Sequence, residues 1–526
     1  MARQDRVLVL DGADASYSLT VARSLGAAGY NVDLGFAVGT RRFEAHSKFV
    51  TRSILYPDPV LAESAFRTTM LRVAPEYGTL VPTTEKSLLA TSRIRAEIEA
   101  LGTILPTAPY ETLLRTTHKT EMLDAAREVG IRLPRTKILS AWPGLESLRT
   151  EVGFPLILKS STEIGAKPID RHFLIDSANA STAGDRFREL AALGPVLAQE
   201  CVVGTGVGVA LLYDRQGALV AFSGHRRRFE QFADGGPSLI ATSEVVPRAL
   251  ANARRLLESI GWRGVAMVEF RVTSDGTPYF MEINPRFWGT LSLAIAAGVD
   301  FPRLLVERFV GGGTAPAVGP SRTRNYFSIE ATITAAGAPA AKRVNLGALS
   351  IELAGRLGGL SIRELQGWDL RPSMARFGHL LRARGSSRVP GHAFGLWFGP
   401  AHEYSSLGLP ELGTILDLRT PEEVGARPLL VPAGVRRIHH PIPDDRGVDV
   451  AEFRGLIAEI DQARVAGEVY IHCRKGMGRA PMIAVGWAVA HGKPLERAFE
   501  DAFAARPRIE LQPPQVASIY AVAALA

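Results

Sequence analysis

Cysteine is almost missing from this chain: Cys201 and Cys473 are the only two in 526 residues. Two thiols so far apart build no disulfide framework, which excludes a stapled secreted scaffold and points to a reducing compartment. No apolar run approaches the roughly 18 residues that a membrane span needs. The opening "MARQDRVLVLDGADAS" has charges on both sides of a short apolar run, unlike a signal peptide. A cytoplasmic protein with no membrane partner is expected. Long blocks of one charge sign are lacking as well. The net charge is +8, but the basic residues are scattered and the densest cluster, "GHRRRFEQ", is short. No nucleic-acid partner is therefore expected, and clefts that handle anionic small molecules fit the balance better.

What is present is apolar material, 46% of the residues, enough for three or four separate cores. "RVLVLDGADASYSLTVARSLGAAGYNVDLGF" reads as strand, loop, helix, strand, and its loop lacks the G-x-G-x-x-G spacing of a dinucleotide site. A strand-like piece is expected over 78–90, and residues 103–136 read as strand, loop and a helix closed by Gly130. Strands alternate with helices from about 137 to 312, followed by a stretch rich in Gly, Ala, Pro and Arg, then a fresh α/β pattern to the final helix. The expectation is an α/β and α+β multidomain chain divided as 1–105, 106–312, 313–390 (an extension and linker) and 391–526. There is no internal repeat.

The stretch "GVAMVEFRVTSDGTPYFMEINPRFWG", residues 264–289, contains the hairpin signal Asp275-Gly276. A two-residue turn there sets Ser274 opposite Thr277 and therefore Glu269 opposite Glu282. Directly opposed Cβ atoms lie about 4.5–5.5 Å apart, where like charges are destabilising. A cation between them resolves the conflict, and Asn284 shares the face by the strand period of two. Three oxygen donors without cysteine or histidine suit a hard ion, Mg²⁺ in preference to Ca²⁺. The competing reading is a solvated strand face on which the two glutamates diverge.

These residues resemble the metal-binding hairpin of the ATP-grasp superfamily, in the branch of carbamoyl phosphate synthase and many carboxylate-amine ligases. The resemblance covers roughly residues 5–312, with a βαβ pre-ATP-grasp domain at the front. It implies ATP and Mg²⁺ as cofactors, with Glu269, Glu282 and Asn284 on the metal. Lys119 and Lys159 would meet the ATP phosphates, and Glu200, Cys201 and Val202 the adenine, Cys201 being a buried small side chain. Arg286 would hold the carboxylate or its acyl phosphate, and Arg227 or Arg228 would contact an anion. The implied reaction joins a small-molecule carboxylate to an amine through an acyl phosphate. Two features depart from the family: His118 stands where an acidic residue is usual, and "SSTEIGAKPI" after Lys159 is poor in glycine for a loop that closes over phosphates.

In "VYIHCRKGMGRAPMIAVGW", residues 469–487, an apolar strand leads through a loop into a helix, and a helix N-terminus attracts anions. Cys473, beside His472, Arg474 and Lys475, is expected to be a thiolate-prone nucleophile rather than a packing residue. Gly476 and Gly478 permit a tight turn with inward N–H groups, and Arg479 offers a bidentate fork to phosphate. The pattern His-Cys-x-x-Gly-x-x-Arg is the signature of cysteine-dependent phosphatases. Residues 391–526 resemble a dual-specificity, tyrosine-phosphatase-like domain. That resemblance implies a phosphocysteine mechanism, with "HHPIPDDRG" supplying the general acid, Asp444 ahead of Asp445. Ala480 stands where Ser or Thr usually assists the second step. The combined expectation is a bifunctional enzyme whose phosphatase acts on a phosphorylated metabolite of the ligase pathway. The alternative is a phospho-ligand-binding regulatory module, or a phosphatase of phosphoprotein.

Overall fold

A computed structural model describes residues 3–12, 16–160, 172–192, 194–232, 235–311, 316–336, 345–385, 391–401, 411–444 and 446–525. Two compact units result: residues 1–36 with 44–54 and 67–371, and residues 37–43 with 55–66 and 372–526. Among the described residues no helix is long and apolar enough to cross a membrane.

The apolar run that opens the chain forms β1 (Arg6–Val9), which lies parallel to β2 (Asn31–Ala37) and β4 (Thr79–Val81), with β3 (Arg52–Tyr56) outside β2. Helix Ser16–Ala27 makes the crossover between β1 and β2. The strand-like piece at 78–90 is shorter than its pattern suggests. It stops at Val81, and the Thr84 side chain accepts from Ser87 N to start helix Glu85–Arg93.

One expected helix in 103–136 is in fact two, Tyr110–Thr117 and Lys119–Glu128. His118 sits between them in an extended conformation (φ −97, ψ 96), which puts Lys119 at the first position of the second helix. Gly130, with φ +69, ends that helix as expected.

The second sheet, in order β5-β8-β6-β7, is antiparallel: β5 (Thr136–Leu139), β6 (Leu156–Ser160), β7 (His172–Ile175) and β8 (Val196–Glu200). Leu156 and Leu158 face a core shared with Leu148, Phe187 and Leu190. Lys159, one residue out of phase, lies on the other face.

Seven strands make the third sheet: β9 (Thr205–Tyr213), β10 (Leu219–Phe232), β11 (Gly235–Ser243), β12 (Gly264–Val272), β13 (Pro278–Asn284), β14 (Asn325–Phe327) and β15 (Leu360–Ile362), ordered β13-β12-β9-β10-β11-β14-β15. Helices Lys119–Glu128 and Pro247–Ser259 cover one face, where Met122, Leu256 and Leu257 pack on Val207, Val209, Val268 and Phe270. Polar residues of the same strands are left on the opposite face. The segment after 313 contributes β14 and β15 to this sheet, with helices Ile329–Ala336 and Leu346–Ala354 between them. Its end is tied down by buried Asp369, which accepts from Arg23 Nε at 3.0 Å and Lys48 N at 3.1 Å.

The other unit holds β16 (Gly391–Ala393), β17 (Leu396–Pro400), β18 (Leu412–Asp417), β19 (Arg436–His439) and β20 (Glu468–Cys473) in the order β16-β17-β20-β18-β19, all parallel but β16. β20 reads as a continuous apolar run because both of its faces are covered. Phe453, Met482, Ile483 and Ile519 pack on one side, and Leu429, Val431 and Val435 pack against Tyr470 and Ile415 on the other. β20 therefore delivers Cys473 at the carboxyl edge of a parallel sheet, where ligands bind in such folds.

Beside it, buried Asp417 takes 2.9 Å bonds from Arg419 Nε and Nη2 and a 2.7 Å bond from Arg437 Nη2. Burial works to raise this carboxyl's pKa, but Arg419 and His472 outweigh it and hold it at about 2, against 3.8 normally. A depressed native pKa stabilises the fold above the unfolded value and loses that contribution as pH falls. Asp417 is thus expected to supply about 2 kcal/mol above pH 4, lost between pH 4 and 2. Denaturant titrations of wild type and Asp417→Asn across that window should converge as the pH drops.

Candidate active sites

The hairpin brings Glu269 and Glu282 together by a different route from the one expected. Thr273 N donates to Thr277 O at 3.1 Å and Gly276 N to Thr273 O at 2.9 Å, so the turn has three residues, with Gly276 left-handed at φ +79. Phe270 consequently pairs with Phe280. A β-bulge between Glu269 and Phe270 absorbs the extra residue, and beyond it Glu269 pairs with Glu282 and Met267 with Asn284.

Asn284 Nδ2 lies 3.2 Å from Glu269 Oε1 and 3.4 Å from Glu282 Oε1. Arg227 Nη2 reaches Glu269 Oε2 at 2.5 Å while its Nη1 meets Glu230 Oε1 at 3.2 Å. Arg226 and Arg228 point to the opposite face and share Glu244. Of the two arginines expected at an anion, only Arg227 faces the carboxylates. Burial, reinforced by Glu282 and opposed by Arg227, pushes the Glu269 pKa up. Burial acts the same way on Glu282, but Lys119, Lys159, Arg227 and Arg286 overcome it and leave that carboxyl below its usual range.

This donor set fits a hard cation. Two half-buried carboxylates face each other, and a buried amide turns its N–H₂ toward both. A half-turn of that amide replaces N–H₂ with Oδ1, completing three oxygen ligands. Among the described residues no group of three or more His, Cys, Asp and Glu could hold a metal ion, so the set is two carboxylates and an amide.

Lys119 Nζ lies 3.5 Å from Ser160 O and Lys159 Nζ 2.7 Å from Gln199 Oε1. Arg286 stacks over the Tyr17 ring at 5.3 Å and donates to Phe287 O at 3.0 Å. On the strand expected at the adenine, Glu200 N donates to Arg135 O at 2.9 Å and Cys201 N to Pro155 O at 3.3 Å. Cys201 is half-buried rather than buried. Apart from Ser160, the loop "SSTEIGAKPI" lies outside the described residues.

Sequence reasoning missed the floor of this site. β9 alternates Gly206 and Gly208 on the carboxylate face, and a Cβ would come 2.7 Å from Arg227 Cδ at Gly206 and 2.2 Å from His225 Cε1 at Gly208. The signal was available in "TGVGV", since glycine inside a strand marks a close approach. Burial, then the Arg227 charge, pushes the His225 pKa down to about 3, so the ring stays neutral. Gly208→Ala is expected to cost about 1–3 kcal/mol by driving His225 out of its notch, measurable as a lower melting temperature.

In the second unit the chain leaves β20 through residues 474–478 and enters helix Arg479–Ala490. Gly476 N donates to the Cys473 sulfur at 3.2 Å. Gly476 has φ +66, and a Cβ there would lie 2.3 Å from Gly399 C, so only glycine fits. Arg506, fully buried and overlooked in the sequence, donates Nε to Gly476 O at 2.7 Å and Nη2 to Lys475 O at 3.2 Å. Pinning those carbonyls fixes the peptide planes of the turn. Arg474 and Lys475 are exposed, and Ala480 is fully buried.

Arg479 is fully buried. Its Nη1 donates to Glu423 Oε2 at 2.7 Å and Ile442 O at 2.8 Å, and its Nη2 to Glu423 Oε1 at 3.0 Å. Asp444 Oδ1 lies 2.9 Å from Nη2, and Gln515 Nε2 holds the Asp444 carbonyl at 3.0 Å. Arg479 Nε is buried with no hydrogen-bond partner among the described residues. His472, packed beneath the loop, has Nε2 3.6 Å from Asp417 Oδ1. Asp445 lies outside the described residues.

Residues 195–331 match the family model described as ATP-grasp in the biosynthetic pathway with Ter operon. This segment is an ATP-grasp domain, and ATP-grasp carboxylases and ligases use ATP and Mg²⁺. Acetyl-CoA carboxylase of Dictyostelium discoideum is 27% identical over 143 residues, 26% of this chain and 6% of that protein. Pyruvate carboxylase of Aspergillus niger is 26% identical over 231 residues, 40% of this chain and 19% of that protein. The chain thus spans a small part of the curated relatives it matches. Among solved structures, an ADP complex of purK, N5-carboxyaminoimidazole ribonucleotide synthetase, is 13% identical with a TM-score of 0.49, covering 62% of this chain and 81% of that one. An L-amino acid ligase from Bacillus licheniformis is 16% identical with a TM-score of 0.48, covering 62% and 80%.

Proposed function

We propose that the chain is a bifunctional enzyme, an ATP- and Mg²⁺-dependent carboxylate-amine ligase joined to a cysteine phosphatase of the same small-molecule pathway. For the ligase, the reading is carried by the opposed, half-buried carboxylates Glu269 and Glu282 within the matched segment, with Asn284 beside them. Held by these three residues, Mg²⁺ would neutralise phosphate oxygens of ATP. Lys119 and Lys159 stabilise charge on the transferring phosphoryl group, and Arg286, fixed on Tyr17, orients the carboxylate. A carboxylate oxygen attacks the γ-phosphorus and ADP leaves. The amine nitrogen then attacks the acyl carbon, phosphate departs, and the nitrogen loses its proton to form the amide.

For the phosphatase, the reading is carried by the buried Nε of Arg479, without a hydrogen-bond partner among the described residues, beside a loop whose N–H meets the Cys473 sulfur. Cys473 Sγ attacks phosphorus, Asp444 protonates the leaving oxygen, and water then cleaves the phosphocysteine to release phosphate. Ala480 favours a second reading, in which the loop binds a phosphorylated ligand without turnover, because no hydroxyl is supplied there for the second step.

Two single variants should separate the activities. Glu282→Gln is expected to reduce ADP formation by about 100-fold or more while leaving phosphate release from p-nitrophenyl phosphate unchanged. Cys473→Ser should do the reverse, and in metabolite extracts supplied with ATP and Mg²⁺ it should accumulate a condensed product that keeps one phosphate, visible by mass. An identical product mass from both proteins would sever the two domains' chemistry. If the thiol turns over, Ala480→Ser should raise steady-state turnover and shrink any burst of phosphoenzyme.

A further inference from the structure

We infer that Arg227 and the divalent cation compete for Glu269, so that metal binding hands the Arg227 guanidinium to Glu230 and makes its N–H groups available to the anionic substrate. The inference rests on the metal reading of Glu269, Glu282 and Asn284. Both oxygens of Glu269 meet N–H donors, Oε1 the Asn284 amide at 3.2 Å and Oε2 the Arg227 Nη2 at 2.5 Å. A carboxylate holds a metal through its oxygen lone pairs, and a guanidinium on the same oxygen sets two positive charges against each other. Cation loading therefore weakens the bond from Arg227 to Glu269, and by linkage that bond opposes loading to the same extent.

A second partner lets the guanidinium leave without being stranded. Arg227 Nη1 meets Glu230 Oε1 at 3.2 Å and Gly236 O at 3.1 Å. Glu230 is fixed from its other side, with Oε2 3.0 Å from Arg271 Nη1, which in turn lies 3.2 Å from Gly204 O. A half-buried guanidinium thus keeps one counter-charge whichever way it points. Gly206 provides the space: a Cβ there would lie 2.7 Å from Arg227 Cδ and 3.0 Å from Glu230 Oε1. Arg227 Nε is buried without a hydrogen-bond partner among the described residues. Once Nη2 leaves Glu269, Nε and Nη2 offer one edge of the fork, which suits the two oxygens of a carboxylate. The anion subsite is complete only when the metal is in place, so the carboxylate binds after the cation.

The experiment compares wild type, Arg227→Met and the charge-matched control Arg271→Met, with Mn²⁺ as the probe ion, by electron paramagnetic resonance of the free ion and by thermal melting. Arg227→Met should bind Mn²⁺ about 10-fold more tightly than wild type, and Mn²⁺ should raise its melting temperature by more than that of wild type. Arg271→Met removes a cation from Glu230 but not from Glu269, and should change Mn²⁺ affinity less. Unchanged or weaker binding in Arg227→Met, or equal gains in both variants, overturns the competition and leaves the metal site standing. If Arg227→Met does not fold, Glu230→Gln carries the test. Without its second partner the guanidinium closes on Glu269, and Mn²⁺ should bind more weakly than in Glu244→Gln, which removes a carboxylate from the opposite face; equal affinities overturn the competition. Calorimetry with sulfate tests the release. Mn²⁺ should strengthen sulfate binding by about 5-fold or more in wild type and by less in Arg227→Met. No gain in wild type, or the same gain in both, overturns the release. A wild type that binds no Mn²⁺ overturns the metal reading and the inference together.

Discussion

Two carboxylates held face to face in a half-buried hairpin repel each other, and much of the larger unit is organised around that repulsion. Glu269 and Glu282 sit on adjacent strands, and the glycines of the next strand leave room for Arg227 and His225 of the one beyond it. The positive groups reach the pair from separate elements: Arg227 from β10, Lys159 from β6, Lys119 from a helix start and Arg286 just past β13. Together they split the pair, one carboxyl shifted up and the other down. A site in which cations are gathered around two negative charges has the balance that polyphosphate chemistry requires.

The smaller unit follows the opposite arrangement, with buried cations enclosed by oxygens. Arg419, Arg479 and Arg506 are among the largest fully buried side chains of the chain. Arg419 is matched by Asp417, Arg479 by Glu423 and Asp444, and Arg506 by the carbonyls of the loop it supports. A buried charge of this kind tolerates replacement of the whole pair better than loss of one partner, which strands the other.

The parts legible in the sequence were those set by short-range periodicity. Strand alternation puts Glu282 and Asn284 on one face, the bulge brings that face to Glu269, and the apolar run before His472 marks a central parallel strand. The glycine-punctuated loop after Cys473 was equally visible. What escaped was set by distance in space. Arg506 reads as an ordinary charge at a helix end, and Glu423 as half of a capping box, until the fold brings one to the loop carbonyls and the other to Arg479. In the hinge strand the pattern shows an extended segment but not that Glu200 and Cys201 donate their amides to Arg135 and Pro155.

The β-bulge in the hairpin couples two positions that look independent in the chain. The three-residue turn adds one residue to the strand pairing and the bulge removes the same amount, so either feature alone would rotate Glu282 to the opposite face of the sheet. The position of the bulge therefore decides which face carries Glu282 as firmly as the identity of the residue does.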